Sequence, residues 1–338
     1  MQTRLVKDED KLHWDQFVGA QAQATFQQSW AWGEVLRGDG LEMARFMALH
    51  NGLIVGVALA ALYKPLAGFT YIYLPQGPVV DESLNVADGS RVSLLLVEAI
   101  IKHWAKFKPM FLRVDSWQVR RWPPPWKKVM NQGGSTVFAP STIALLDLKD
   151  KDEAALTQAL HSKTRYNLNR ALKNNLEIKS GVGEKAQQDF ECLLKETARR
   201  AGFKTHAAGH YRRLLAAFSQ SATIVTVSHH GKALAAVLIV FFGARATYVH
   251  GGSSRDQSAL MAPYLAQWQA IQEARRRGCR YYDFGGATHD AQGAWAGLTR
   301  FKLRFGATLT DNTGIYEWAL RPNRMAVFKR LKKIRSMF

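Results

Sequence analysis

Apolar positions along this chain form continuous runs bounded by turn signals in some stretches and fall at helical spacing in others, and the switches between them outline its elements. Residues 41–80 read as strands. LEMARFMALHNGLIVGVALAALYK holds two apolar runs around Asn51-Gly52, a hairpin signature, and GFTYIYLPQGPVV adds a third run that stops at Pro75-Gln76-Gly77-Pro78. SRVSLLLVEAIIKHWAKF (90–107) changes to helical spacing through Val92, Leu95, Leu96, Ala99 and Ile100. FLRVD (111–115) then reads as a buried strand that ends in a carboxylate, Asp115.

The same order returns later. Residues 223–252, TIVTVSHHGKALAAVLIVFFGARATYVHGG, again give strand, Gly-containing turn, strand, turn, strand. A helix is predicted at about 263–277 through Tyr264, Leu265, Trp268, Ile271 and Gln272, with Pro263 in its first turn and Gly278 past its end. CRYYDFGG (279–286) is another strand with a carboxylate, Asp283. The offsets are similar: 231 − 52 = 179 between the turn glycines and 283 − 115 = 168 between the carboxylates. These matches imply two copies of one α/β unit.

Between the copies lies a helical, strongly basic stretch, DEAALTQALHSKTRYNLNRALKNNLE (152–177), followed by a helix at 187–203. RWPPPW (121–126) and the GGS at 133–135 mark a loop before the domain change. The last segment, 321–338, carries seven basic residues and no acidic one, with Val327, Leu331 and Ile334 at i, i+4 and i+7. That pattern is a basic amphipathic helix. The expectation is an apolar stripe docked on the core beneath a solvated basic face, and contact with anionic lipid or RNA is the alternative.

Charge sharpens the picture. Across 338 residues, 46 Lys and Arg against 27 Asp and Glu give a formal charge of +19, which calls for a polyanionic partner: nucleic acid, anionic membrane or a phosphorylated substrate. The two cysteines, Cys192 and Cys279, fit no metal spacing and no disulfide framework, so a reducing cytoplasm is expected. The first residues hold no apolar signal-peptide core, and the longest apolar run, Leu53–Tyr63, is far short of a membrane span. A P-loop, a Rossmann fingerprint, H-E-x-x-H and G-x-S-x-G are all missing from the sequence. GGSS at 251–254 is the nearest thing to a phosphate-cradling loop.

The C-terminal third carries a resemblance. It reads Tyr248, Gly251, Gly252 and Ser253, then Pro263-Tyr264 with Trp268, then Tyr282-Asp283-Phe284-Gly285-Gly286, then Phe301-Lys302 followed by Phe305-Gly306. KTRYNLNRALKNNLEI, ARRAGFKTHAAGHYRRLL and the early FQQSWAWGEV extend the likeness over most of the chain. The whole resembles the FemABX family of peptidoglycan-precursor aminoacyltransferases, in its compact, FemX-like form without a coiled-coil insert. The resemblance implies an α+β fold of two tandem GNAT-like (acyl-CoA N-acyltransferase-like) domains, with mixed sheets flanked by helices. The domains are expected at 1–147 and 148–317, with a helix at about 318–338 packing back on the first.

It also implies an activity: transfer of an amino acid (Gly, Ala or Ser) from aminoacyl-tRNA to the stem-peptide amine of a UDP-linked or lipid-linked peptidoglycan precursor, forming the interpeptide bridge. Aminoacyl-tRNA is then a co-substrate, with no other cofactor and no metal. The expected protein is a cytoplasmic monomer, with the basic C-terminal helix as its contact to the inner face of the plasma membrane if it makes one. Aminolysis of an ester needs a cation or donor for the developing oxyanion and an acceptor for the amine proton. By resemblance, Lys302 supplies the cation and Phe301 stacks on the tRNA 3′ end. Asp115 is the protein candidate for the proton or the ammonium, with substrate-assisted transfer as the alternative, whereas Asp283 is expected to tie a turn. For the precursor diphosphate the candidates are Arg165, with Tyr166 beside it, and Arg37, because Glu34 stands where the family pattern has a lysine. Tyr211, Ser253 and Tyr264 complete the substrate-binding set.

Two other classes compete. An acyl-CoA-dependent N-acyltransferase on the same fold would need a glycine-rich pyrophosphate loop, and SSRDQSALMAPYL lacks those glycines. A non-enzymatic RNA-binding protein would suit the charge, but no RRM, KH or dsRBD signature occurs.

Overall fold

A computed structural model describes residues 1–66, 68–115, 125–129, 140–312 and 314–335. The first elements are β1 (Gln2–Leu5), α1 (Lys11–Ala20), α2 (Trp30–Gly38), β2 (Glu42–His50), β3 (Leu53–Leu66), β4 (Phe69–Leu74), β5 (Val79–Val80), α3 (Val86–His103), β6 (Phe111–Val114) and β7 (Lys127–Val129). There follow β8 (Thr142–Asp147), α4 (Glu153–Ala159), α5 (Ser162–Leu172), β9 (Glu177–Gly181), α6 (Glu184–Ala201), α7 (His210–Phe218), β10 (Ala222–His229), β11 (Lys232–Phe242) and β12 (Arg245–Ser253). The remaining elements are α8 (Ala262–Arg276), β13 (Tyr281–Gly286), α9 (Ala296–Leu303), β14 (Thr308–Asp311), β15 (Ile315–Ala319) and α10 (Pro322–Arg335).

These elements form two units, 1–141 with 312–338, and 142–311. In the first, the sheet runs β1-β2-β3-β4-β6-β15-β7, and β5 pairs with β3. In the second it runs β14-β8-β13-β12-β11-β10-β9. The domain break expected after residue 147 therefore falls earlier, because β8 pairs antiparallel with β13. Likewise β15 belongs to the first sheet, through β6 and β7, and not to the second domain. RWPPPW, up to residue 124, and the GGS at 133–135 lie outside the described residues.

The two-copy reading holds down to backbone detail. Asn51 and Gly52 have φ of 50° and 81°, and His230 and Gly231 have 49° and 75°. Both hairpins thus use a two-residue turn with two left-handed positions, which matches the twist of the strands they join. Each register then slips three residues past the turn glycine, at Val55 and at Leu234. An antiparallel neighbour, a helix and a parallel strand follow in both: β3–β4, α3, β6 and β11–β12, α8, β13.

The helical stripes read from the sequence are the core faces. Val92, Leu96 and Ile100 of α3 pack with Ala58, Leu62, Ile72 and Leu112. Leu265 and Ile271 of α8 pack with Val237, Ile239 and Tyr282. The stretch 152–177 is not one helix but two, α4 and α5, broken at Leu160–His161. β9 went unread because it is a polar edge strand bonded to β10, with no alternation to reveal it. The C-terminal stripe is also corrected. Met325 is buried among Tyr71, Tyr73 and Phe111, and Phe328 lies 5.7 Å from Phe69, whereas Val327 and Leu331 stay 49% and 42% exposed.

Inside the first unit, buried Gln28 ties β3 to the chain leaving β4. Its Nε2 donates to the carbonyls of Leu59 (3.1 Å) and Pro75 (2.6 Å), and its Oε1 accepts from Leu59 N at 2.8 Å. Gln28→Met keeps the volume but strands those groups. We expect a loss of about 2–5 kcal/mol in chemical denaturation, against less than about 0.5 kcal/mol for Gln23→Ala on the surface.

Candidate active site

In the second unit β12 and β13 run parallel for only three paired positions, Arg245–Thr247 against Tyr281–Asp283. Beyond them β12 follows β11, and β13 bends toward β8 with a register shift between Asp283 and Gly286. Asp283 fixes the bend: its carboxylate accepts from Gly285 N at 2.7 Å and from the buried Arg245 guanidinium at 3.1 Å. This is the structural role expected of it. The strands part into a cleft of about 580 Å³, lined by Tyr248, His250, Gly252, Ser253, Phe284, Gly286, Phe301 and Lys302 among others.

GGSS is not a phosphate loop. Gly251, Gly252 and Ser253 belong to β12, and a Cβ on Gly252 would stand 2.3 Å from the backbone of Leu193. Glycine is needed there so that α6 can lie against the strand. Ser253 is held at both ends, its N–H donating to Thr197 Oγ1 and its carbonyl accepting from Arg200.

The floor of the cleft comes from α9. Leu298, Phe301 and Lys302, at i, i+3 and i+4, face it. Lys302 is not an exposed strand-edge lysine: it is 4% exposed, in the last turn of a helix, and its Nζ donates to the carbonyl of Gly286. Burial pushes its pKa down to about 8, opposed by the charge of Asp283. Phe301 is half-buried, braced edge-on by Tyr264 (5.3 Å) and Phe305 (5.2 Å). Tyr264 thus supports the cleft from behind. His250, which the sequence reading missed, is driven to about 3 by burial and by His206, His210 and Lys302, so it is a neutral imidazole at physiological pH. His206 and His210 stack at 4.1 Å, and both rings meet Tyr211. The spacing H-A-A-G-H was the only signal of this cluster in the sequence. Among the described residues no group of His, Cys, Asp or Glu is arranged to hold a metal.

The FemAB family profile matches residues 10–99, 128–232 and 225–333. The chain belongs to the FemAB family. It is 21% identical to a lipid II:glycine glycyltransferase of Staphylococcus saprophyticus over 96% of this chain and 94% of that one. The Staphylococcus haemolyticus counterpart is also 21% identical, over 94% and 93%. The crystal structure of FemX superposes with a TM-score of 0.83 at 17% identity, covering 97% of this chain and 99% of that one. A tandem GNAT protein from clavulanic acid biosynthesis gives 0.53 at 10% identity, over 94% and 98%. The fold is therefore two GNAT-like domains, and the family match together with the glycyltransferase relatives places the chain among transferases.

Within this FemAB chain, the other expected site residues make the following contacts. Asp115 is fully buried, and its carboxylate accepts from Tyr73 OH (2.6 Å), Gln76 N and Gln76 Nε2 (3.2 Å). It has no surface to offer an ammonium, so it positions the chain leaving β4. Arg165 donates to the carbonyls of Gln158 and Leu160 and so caps the end of α4, while Tyr166 beside it is 65% exposed. Tyr211 is a buried core tyrosine, 5% exposed against Phe190, with its hydroxyl pKa raised by burial. Arg37 pairs with Glu34 at 3.0 Å. Glu34, the departure from the family's lysine, has a physical reason: it also binds the buried Arg45 at 2.9 Å, whose guanidinium lies 3.8 Å from the Trp30 ring. A lysine at 34 would set two cations side by side there.

The Lys302 amine should titrate near pH 8 when followed by NMR of the dimethylated protein, against about 10.4 for a free lysine. The unfolded chain binds the extra proton between those values. Stability should therefore rise as pH increases through that window, and Lys302→Met should remove the rise.

Proposed function

We propose that this chain is an aminoacyltransferase that moves a small amino acid (Gly, Ala or Ser) from aminoacyl-tRNA to the stem-peptide amine of a peptidoglycan precursor, forming the interpeptide bridge. The observation that carries the reading is Lys302, a buried cation at the floor of the cleft with Phe301 beside it. In the reaction the acceptor nitrogen attacks the ester carbonyl carbon and the carbonyl oxygen takes the displaced electron pair. Lys302 stabilises that oxyanion, most strongly in a site with little water. The bond to the ribose oxygen then breaks as the amide forms. The amine proton passes to the departing ribose oxygen, a substrate-assisted route that fits a sealed Asp115. Phe301, held by Tyr264 and Phe305, stacks on the 3′-terminal adenine.

The acceptor we favour is the lipid-linked precursor, with glycine as the donor residue, as in the names of the staphylococcal relatives. The exposed Val327 and Leu331 on α10, within a segment of seven cations, suit peripheral contact with an anionic membrane at its cytoplasmic face. No helix among the described residues is long and apolar enough to cross a membrane.

The test is to mix the protein with labelled glycyl-, alanyl- or seryl-tRNA, or acetyl-CoA, and lipid- or UDP-linked precursor, and to weigh the precursor. A gain of one amino-acid residue is expected; a gain of one acetyl group, or tRNA binding without product, would select the competing classes. Lys302→Ala should lower turnover about 10²–10³-fold at saturating substrates, and Phe301→Ala should chiefly raise KM for the charged tRNA. Near-normal turnover of Lys302→Ala removes it from the mechanism. In co-sedimentation, vesicles containing phosphatidylglycerol should bind the protein and phosphatidylcholine vesicles should not. Val327→Glu/Leu331→Glu should weaken that binding at least about tenfold, and equal partition to both vesicle types would speak against the membrane contact.

A further inference from the structure

Helix α9 has a second working face. Opposite Phe301 and Lys302, its residues Thr299, Arg300 and Leu303, with Arg304 just past its end, line another cleft of the same unit, about 660 Å³, closed by His161, His289 and Leu309 among others. Arg300 and Arg304 stand at i, i+4, where like charges repel. Neither has an acidic partner among the described residues, whereas Arg37, Arg245, Arg276 and Arg277, for example, do. Asp290, the one carboxylate among the described residues that line this cleft, is held within its own loop, accepting from Gln292 N, and pairs with neither arginine; Asp311, which does not line it, accepts from Thr142 Oγ1 and meets His289 Nε2, both at 2.8 Å. The arginines therefore face a cleft whose floor, with Ala159, Leu303 and Leu309, is apolar. Two unmatched guanidiniums above an apolar floor suit a phosphate-bearing ligand that also has a flat, apolar body, as a nucleotide has.

We propose that this cleft binds the sugar–phosphate backbone of the RNA co-substrate next to its reacting end, with Arg300 and Arg304 on the phosphates. The inference rests on the aminoacyl-tRNA reading above. In it, α9 is a partition: one face meets the ester and the terminal adenine, and the other meets the strand leading to them. The arginines then act by binding and take no part in the chemical step. The same phosphate chemistry could come from the precursor diphosphate, and the experiment separates the two sources.

Uncharged tRNA binding is measured by filter retention over a salt series for the full chain, for Arg300→Ala/Arg304→Ala, for Arg300→Lys/Arg304→Lys and, as a charge-matched control, for Lys173→Ala/Lys179→Ala. KM values for charged tRNA and for precursor are measured alongside. The alanine pair should bind tRNA about tenfold more weakly or worse, with a salt slope shallower by about one to two units, since each lost phosphate contact to a single strand removes about 0.7. The lysine pair should keep the slope, and KM for charged tRNA alone should rise. Unchanged affinity and slope in the alanine pair, or a loss no larger than in the control, overturns the proposal. A rise confined to KM for precursor also overturns it and assigns the cleft to the diphosphate. If the unaltered chain binds no tRNA, the functional reading itself has failed, which is a different result from a failure at these two arginines.

Discussion

Everything at the site depends on where β12 and β13 stop pairing. Three residues of parallel ladder hold them together, and then Asp283, with Arg245 and Gly285 as its partners, turns β13 away. The parting frees the carbonyl of Gly286, which Lys302 takes, and opens the space that Phe301 and His250 line. A lysine buried this far is costly unless its ammonium is bonded. The end of β13, released from β12 though still paired with β8, supplies that acceptor, and the low-dielectric wall keeps the amine near its titration point. Strand geometry, burial and charge are one arrangement here.

The first unit contains the same parting with the opposite outcome. β4 and β6 also pair for three residues, Ile72–Leu74 against Leu112–Val114. There the gap is filled: Gln76 folds back onto Asp115 and Tyr73 closes on the same carboxylate. One copy spends its strand-end carboxylate on sealing the split, and the other uses it to hold the split open. Divergence after duplication is therefore visible in which polar groups occupy one topological position, while hairpin turn, register slip and helix are retained.

Much of this was legible in the sequence. The turns at Asn51-Gly52 and His230-Gly231 announce themselves because two left-handed positions demand such residues, and the stripes of α3 and α8 because a buried helix face repeats at 3.6. What periodicity could not show were features set by contacts distant in sequence. The crossing of β8 and β15 between sheets depends on pairing, not on local pattern. Asp115 and Asp283 look alike as strand-end carboxylates, and only their partners show that one is sealed by Tyr73 and Gln76 and the other tied to Arg245 and Gly285. Lys302 was found through resemblance alone. Its burial depends on Gly286, 16 residues earlier, and on a helix too short to show a stripe. Glu34 looked like a defect until Arg45, 11 residues on, supplied its reason.

The central claim is that a buried ammonium at position 302 does its work as a cation. The most direct measurement is the pH dependence of single-turnover transfer with both substrates saturating. In the unaltered protein the logarithm of the rate should bend downward near pH 8, as Lys302 loses its proton. Lys302→Arg, slower but charged throughout, should show no bend there. A profile of the same shape in both proteins up to about pH 9.5 would contradict the account.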